Sequence, residues 1–141
     1  MPVTNTQFSI AIHIMAGLGY GAKVGVTSSD LAGSINACPS FVRRILSKLS
    51  KAGLVRTSRG KSGTCLLARP ARDISLLDIY EAVDAPKVFE VHTYPTQELC
   101  PVSRGFKHMM ERVLDKSQLS FESTLTKTSL ADIIEDLKKG T

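Results

Sequence analysis

The sequence of 141 residues lacks a long apolar run, a Cys-x-x-Cys pair and any acidic residue between Arg43 and Arg72. Ser9, His13 and Gly17 interrupt the apolar stretches near the N-terminus, which are therefore too short and too polar for a membrane-spanning helix. No basic segment of the kind that begins a secretion signal precedes them. We therefore expect neither a membrane-spanning segment nor a secretion signal.

The composition is typical of a soluble globular protein and excludes a disulfide scaffold. Hydrophobic residues make up 43% and charged residues 22% of the chain, and the length suits one domain, or one small domain with a helical arm. The three cysteines, Cys38, Cys65 and Cys100, cannot all pair with one another and are widely spaced. We therefore predict a cytoplasmic protein with reduced thiols.

Basic residues are concentrated in one segment of the chain. The formal net charge is +5 and the isoelectric point is about 9.3. Twelve of the thirteen acids follow Arg72, whereas nine basic residues and no acid lie from Arg43 to Arg72. These nine are Arg43, Arg44, Lys48, Lys51, Arg56, Arg59, Lys61, Arg69 and Arg72. Such a segment predicts a surface that binds a polyanion, and the alternative is a solvated basic surface without a partner.

Apolar spacing and capping residues predict a mainly α-helical chain with one small β-hairpin. The predicted elements are helices over 8–20, 28–35 and 39–51, β-type runs over 54–58 and 65–68, a helix over 75–83, a long helix from Pro101 and a final helix from about 130. Pro39 suits the first turn of its helix, and the pairs Ser75/Asp78 and Ser129/Asp132 resemble capping boxes. The stretch 85–99 shows no helical period and is predicted to be a loop.

The order of helix, short helix, tight turn, basic helix and basic hairpin is typical of a winged helix-turn-helix. An α-helix fits the major groove of DNA, where the arginine fork matches O6 and N7 of guanine. Backbone N–H groups at the start of the short helix, at Ser28 and Ser29, suit a phosphate, and a glycine-containing hairpin suits the minor groove. The pattern predicts a DNA-binding protein. The alternative is a winged-helix protein–protein interaction module without specific DNA binding.

Several segments of the chain closely resemble the Rrf2 family of bacterial transcription regulators. They are residues 41–55, their continuation to Gly63, and the segments 67–70 and 74–83. Residues 100–102 and 128–132 are similar to the start and end of the family's dimerisation region. Each piece alone is weak, but their ordered combination, from about residue 8 to 137, is specific.

The resemblance implies a homodimer that binds double-stranded DNA at a pseudo-palindromic operator. A winged helix-turn-helix DNA-binding domain would occupy residues 1–83, and a sensor loop and dimerisation helices would occupy 84–141. Carried over by position, the major-groove residues are Ser40, Phe41, Arg43, Arg44 and Ser47, and the minor-groove wing residues are Arg59, Gly60, Lys61, Ser62 and Gly63. Phe41 fits either flank of the buried face of its helix.

Two departures from the family pattern stand out. Iron–sulfur members carry a carboxylate and an amide where this chain has Arg43 and Arg44, which predicts a different operator. The family wing usually carries paired glycines followed by tyrosine, whereas the last two of those positions are Thr64 and Cys65 here. The family pattern therefore does not fix the conformation of the wing in this chain.

Cysteine positions set the expectations for sensing. Cluster-binding members carry three closely spaced cysteines in the loop before the long helix, whereas residues 84–100 contain Cys100 alone. We therefore predict no iron–sulfur cluster and no other cofactor. Cys100 directly precedes the long helix, where the helix dipole and Arg104 would favour its thiolate. We predict a redox-sensing thiol there, and the alternative is a small residue that fills the cap.

The other two cysteines are weaker candidates. Cys38 also precedes a helix-opening proline and is the second redox candidate, with a buried turn residue as the alternative. Cys65 is predicted to be buried in its short strand.

No motif predicts enzymatic activity or a metal site. A thiol enzyme with Cys100 as nucleophile is a third interpretation, but no Cys/His pair is evident from the spacing. His92, Cys100 and His108 are spaced eight residues apart, which fits no standard zinc pattern. We therefore expect a sequence-specific DNA-binding transcription regulator that acts as a repressor, with an activator as the alternative.

Overall fold

The computed structural model describes residues 5–20, 25–58 and 63–140, which form six α-helices, three short strands and one 3₁₀ turn. In chain order these are α1 (Gln7–Tyr20), β1 (Val26–Thr27), α2 (Ser28–Ile35), α3 (Pro39–Lys51), β2 (Val55–Thr57), β3 (Thr64–Leu67), the 3₁₀ turn (Ala71–Asp73), α4 (Leu76–Ala82), α5 (Pro101–Lys127) and α6 (Leu130–Lys139). The predicted fold class is confirmed. Among these helices, none combines the length and apolar character that crossing a membrane requires.

The chain divides into two units. The first unit contains residues up to 85 and from 125 onward, and the second contains residues 86–124. The first break lies close to the boundary predicted after residue 83, but α6 belongs to the first unit. The functional division into a DNA-binding domain and a sensor and dimerisation region stays a prediction.

Helix α1 lies at the centre of the core of the first unit. Its residues Ile14, Met15 and Leu18 are buried, and the helix contacts α2, α3, α4, α6 and β3. Gly19 permits the close approach of α6, because a Cβ atom at this position would lie 2.4 Å from Ile134 Cδ1. The elements of the first unit are therefore arranged around one helix.

A three-stranded antiparallel sheet with the order β1–β3–β2 completes the first unit. Val26 pairs with Cys65, and Val55 pairs with Leu67. The predicted hairpin is present, and each strand end differs by one residue from the predicted runs. Strand β1 was not predicted, because two residues are too few to show a period of two.

Both predicted capping boxes are present. Ser75 Oγ accepts the N–H of Asp78, and the Asp78 carboxylate accepts the N–H of Ser75. Ser129 and Asp132 form the same reciprocal pair at the start of α6. Side chains therefore satisfy backbone donors that the first turn of each helix would leave unpaired.

Two backbone hydrogen bonds join the start of α6 to the start of α4. The N–H of Leu76 donates to the carbonyl oxygen of Thr128 at 2.9 Å, and the N–H of Leu130 donates to that of Ile74 at 2.8 Å. Leu130 is fully buried. These contacts place the last helix in the first unit, although it follows the long helix in sequence.

In the second unit, the segment 86–100 runs beside α5 without forming a helix or strand, as predicted. The N–H of Val88 donates to Gln118 Oε1 at 3.0 Å, and the N–H of Gln97 donates to Ser103 Oγ at 2.7 Å. The His92 ring stacks on Phe106, with ring centroids 5.6 Å apart. The segment is therefore held against one side of α5.

Leu130→Ala should lower the free energy of unfolding by about 2–5 kcal/mol, because truncating a fully buried leucine leaves a cavity. Leu137→Ala, on the exposed side of the same helix, should change it by less than about 1 kcal/mol. Urea unfolding at one protein concentration, followed by circular dichroism, measures both. Equal effects of the two substitutions would contradict the packing of α6 in the first unit.

Candidate nucleic-acid interface

Thr27 begins α2 with a capping box. Its Oγ1 accepts the N–H of Asp30 at 3.0 Å, and Asp30 Oδ2 accepts the N–H of Thr27 at 3.1 Å. The backbone N–H and then the side chain of Thr27 hold the pKa of the Asp30 carboxyl below its usual value. The cap leaves Ser28 half-buried and Ser29 exposed at the N-terminal end of α2, where a phosphate would meet the positive end of the helix dipole.

Asn36 and Pro39 define the turn between α2 and α3. Asn36 has a φ of 64°, in the left-handed region that commonly ends a helix, and the N–H of Ala37 donates to the carbonyl oxygen of Ala32 at 3.0 Å. Pro39 is the first residue of α3, where its missing N–H costs no intrahelical bond. The predicted three-residue turn is confirmed.

Helix α3 has a buried inner face and a basic outer face. The inner face packs into the core through Val42, Ile45, Leu46 and Leu49. The predicted DNA-contacting residues Ser40, Arg43, Arg44 and Ser47 are exposed. Because α3 contains two arginines, two lysines and no acid, its outer face is suited to a polyanion.

An open groove of about 540 Å³ joins α2, α3 and the base of the hairpin. It is lined by Ser28, Arg43, Leu46, Ser47, Ser50, Lys51, Thr57, Ser58, Gly63 and Cys65. Ser28, Arg43, Ser47 and Gly63 were predicted on three elements, and the fold brings them to one groove. Among the described residues, its lining includes cations and no acidic side chain.

The groove also contains residues that were not among the predicted DNA-contacting residues. Ser50 and Lys51 follow Arg43 by seven and eight positions, so they share its side of α3. Helical spacing could have identified both. Thr57 lies at the end of β2, and only the pairing of β2 with β3 shows that it borders the groove.

Phe41 and Arg44 form a cation–π pair beside the groove residues of α3. The guanidinium carbon of Arg44 lies 5.2 Å from the centroid of the Phe41 ring, within the range of a cation–π interaction. Phe41 is half-buried and Arg44 is exposed. Phe41 therefore lies on the flank of α3 that carries Arg44.

The predicted wing residues Arg59, Gly60, Lys61 and Ser62 lie outside the described residues. Gly63 is exposed and has a φ of 52°, a left-handed conformation that glycine adopts without strain. The N–H of Ser58 donates to the carbonyl oxygen of Thr64 at 2.8 Å. This hydrogen bond closes the base of the hairpin beside the groove.

Cys38 is exposed, so its interpretation as a buried turn residue was wrong. It precedes α3 at the surface, where its Sγ lies 3.1 Å from Ser40 Oγ. The side chain of Ser40 contributes most to lowering the pKa of the Cys38 thiol, followed by the backbone N–H groups of Ser40 and Phe41. Desolvation raises this pKa to a lesser extent, and the charge of Arg43 lowers it. Cys38 is therefore a surface thiol at the candidate interface.

The other two cysteines differ from Cys38. Cys65 is buried in β3 as predicted, and burial raises the pKa of its thiol. Cys100 is half-buried in the second unit, and its carbonyl oxygen accepts the N–H of Arg104 at 3.0 Å. A redox role for Cys100 stays a prediction.

Comparison with known proteins identifies similar regulators. A family model, Rrf2, described as an iron-dependent transcriptional regulator, matches residues 4–136. YwnA of Bacillus subtilis, which is named as an HTH-type transcriptional regulator, is 35% identical over 135 residues, covering 94% of this chain and 98% of YwnA.

Solved structures share the fold. A transcriptional regulator from Lactobacillus plantarum is 24% identical and has a TM-score of 0.81, with 94% of this chain and 90% of that chain covered. A structure described as a DNA-binding protein is 27% identical and has a TM-score of 0.73, with 91% of this chain and 98% of that chain covered. The similarity to both extends over nearly the whole chain.

The term iron-dependent in the family description calls for a test of the available ligands. An iron–sulfur cluster is held by several thiolates, whereas Cys100 is the single cysteine in residues 86–124. Across residues 5–20, 25–58 and 63–140, no group of three or more His, Cys, Asp or Glu side chains is placed to hold a metal ion. The donor set of this chain therefore does not fit such a cluster.

Alkylation of Cys38 by iodoacetamide should show a pH midpoint below that of an ordinary thiol, because hydrogen bonds stabilise its thiolate. Ser40→Ala should move the midpoint to higher pH, since it removes the side-chain hydrogen bond. Ser47→Ala, on the same helix, is the matched control and should leave the midpoint unchanged. Peptide mass spectrometry follows each cysteine separately, and an unchanged midpoint in Ser40→Ala would refute the assigned cause.

Proposed function

The chain belongs to the Rrf2 family of transcriptional regulators, and we propose that this DNA-binding regulator is a homodimeric repressor that reads a pseudo-palindromic operator. The observation that carries the proposal is the groove in which α2, the outer face of α3 and the base of the hairpin meet. Arg43 and Lys51 line it together with small polar residues, and none of the described lining residues is acidic. The family consists of regulators, which excludes the thiol enzyme considered from the sequence.

In the proposed complex, α3 enters the major groove. Ser40, Phe41, Arg43, Arg44 and Ser47 face the DNA, and the arginine forks match guanine edges or phosphates. The N-terminal N–H groups of α2, at Ser28 and Ser29, hold a backbone phosphate and so set the register of α3.

The wing is proposed to enter the adjacent minor groove. Arg59 and Lys61 would follow its negative potential, and Gly60, Ser62 and Gly63 are small enough for the narrow space. The closed base of the hairpin at Ser58 and Thr64 supports this placement, because Ser58 and Gly63 line the groove.

The proposed dimer forms through α5. Val102, Met109 and Val113 are 49–70% exposed and lie seven and four residues apart, so they share one side of the helix. The segment 86–100 pairs with α5 through Lys87 and Asp115 and borders this side at Phe106, on which the His92 ring stacks. A second copy presenting the same apolar side would cover this exposed surface symmetrically.

Repression is the proposed consequence of this binding geometry. A two-fold dimer places two recognition helices in successive major grooves, about 34–36 Å apart along one face of DNA. A protein bound in this way at a promoter blocks access of the polymerase. Because its partner is chromosomal DNA, we place its action in the cytoplasm, and we retain Cys100 as the candidate redox-responsive thiol.

Titration of the labelled DNA upstream of this protein's own gene with the protein, in excess non-specific competitor DNA, should show sequence-specific binding. Its log affinity should fall linearly with log salt, with a slope of about −0.9 for each phosphate neutralised. Lys51→Ala should weaken binding and make the slope shallower by about one, whereas Lys139→Ala at the end of α6 should not. If a genome-wide selection also yields no specific site, the chain is a protein–protein interaction module instead.

Repeating that titration after mild oxidation tests the thiol response. Loss of binding in the parent chain but not in Cys100→Ser would support Cys100 as the redox-responsive residue. Loss prevented by Cys38→Ser instead would assign the response to the exposed thiol at the interface. Unchanged binding would remove redox control from the proposal.

Val113→Arg should convert the dimer to monomers at micromolar concentration, because it places a charge in the apolar contact between two copies of α5. Val113→Ile keeps the side apolar and should remain dimeric. Sedimentation velocity distinguishes the two forms. A dimer in Val113→Arg that is as stable as in the parent chain would show that the copies associate elsewhere.

A further inference from the structure

Arg43 and Arg44 are adjacent in sequence but stand on different sides of α3. Successive residues of an α-helix are separated by about 100°. Taking the buried side of Val42, Ile45, Leu46 and Leu49 as the inner side, Arg44 stands near the outward direction. Arg43 is rotated toward the hairpin, where it lines the groove. The two arginines therefore face different parts of a bound duplex.

Contact with Phe41 distinguishes Arg44 further. The guanidinium carbon of Arg44 lies 5.2 Å from the centroid of the Phe41 ring, and Phe41 itself is half-buried. The cation–π interaction therefore supports the planar fork of Arg44. A fork supported in this way loses less side-chain freedom on binding than an unsupported one. Arg43 has a different setting, since it shares the groove with Ser47 and Lys51.

On the premise that the chain binds DNA as proposed above, we infer that Phe41 and Arg44 together read a thymine–guanine step. Arg44 donates to O6 and N7 of the guanine, and the Phe41 ring contacts the C5-methyl group of the neighbouring thymine. Because the ring and the guanidinium lie beside each other on one flank of α3, they can contact neighbouring bases of the duplex. Arg43 contacts the phosphate backbone and contributes affinity rather than base preference.

The test begins with an operator selected in vitro by the parent chain and compares lysine variants that keep the charge. Replacing the assigned guanine by adenine should weaken binding of the parent chain roughly five- to 150-fold. In Arg44→Lys the ratio of the affinities for the guanine and adenine operators should fall toward one, because lysine has no planar fork. Arg43→Lys is the matched control and should keep the ratio, and both variants should keep the salt dependence of the parent chain.

Deoxyuridine tests the thymine contact, since it differs from thymidine only by lacking the methyl group. Its substitution at the assigned thymine should weaken binding of the parent chain about fourfold. Phe41→Ala should bind both operators equally, whereas Phe41→Leu should retain part of the difference. Thermal unfolding of both variants tests whether substitution of the half-buried Phe41 has disrupted the fold.

The outcomes separate this inference from the proposed function. Loss of guanine preference in Arg43→Lys but not in Arg44→Lys would overturn the assignment while leaving specific DNA binding intact. A methyl effect that persists in Phe41→Ala would overturn the role of the ring. If the parent chain selects no sequence at all, the proposed function fails, and the inference fails with it.

Discussion

The apolar packing around α1 is the constraint on which the candidate interface depends. Two elements of that interface, α2 and α3, pack against this helix, and β3 and α6 contact it as well. Gly17 and Gly19 allow close approach, because added Cβ atoms would lie 3.0 Å from Leu31 Cδ2 and 2.4 Å from Ile134 Cδ1. Each fully buried aliphatic side chain contributes roughly 1.5–3 kcal/mol, so the relative position of α2 and α3 is held by contacts remote from any nucleic acid.

Stability and recognition are assigned to opposite sides of α3. Four buried aliphatic residues attach the helix to the core, while Ser40, Arg43 and Ser47 are exposed. Exposed substitutions usually change stability little. The same winged helix-turn-helix can therefore carry different residues on the outer face of α3 and read different operators without losing its fold.

Local signals predicted most of the fold, and long-range contacts account for what they did not. Ser75, Ser129 and Pro39 act within one helical turn, so the starts of three helices were evident from the sequence. Strand β1 forms by pairing with β3, and α6 joins the first unit through its contacts with α1, the 3₁₀ turn and the start of α4. At the interface, the sequence identified the arginines of α3, but the pairing of Phe41 with Arg44 and the groove that contains Arg43 required three dimensions.

The two covalent links between the units differ in their capacity to couple the proposed redox response to the proposed DNA binding. The link at residues 85–86 lies in irregular backbone, just after Asp84 with its φ of 51°. The link at residues 124–125 lies inside α5, where backbone hydrogen bonds continue across it, and Leu125 is buried in the first unit. A rotation or shift of α5 is transmitted along a hydrogen-bonded helix with less loss than along irregular chain. Because the carbonyl oxygen of Thr128 then accepts the N–H of Leu76, a displacement of α5 reaches the start of α4 through one residue beyond the helix. Coupling between the proposed dimer contact and the head is therefore expected to pass through the C-terminal turn of α5.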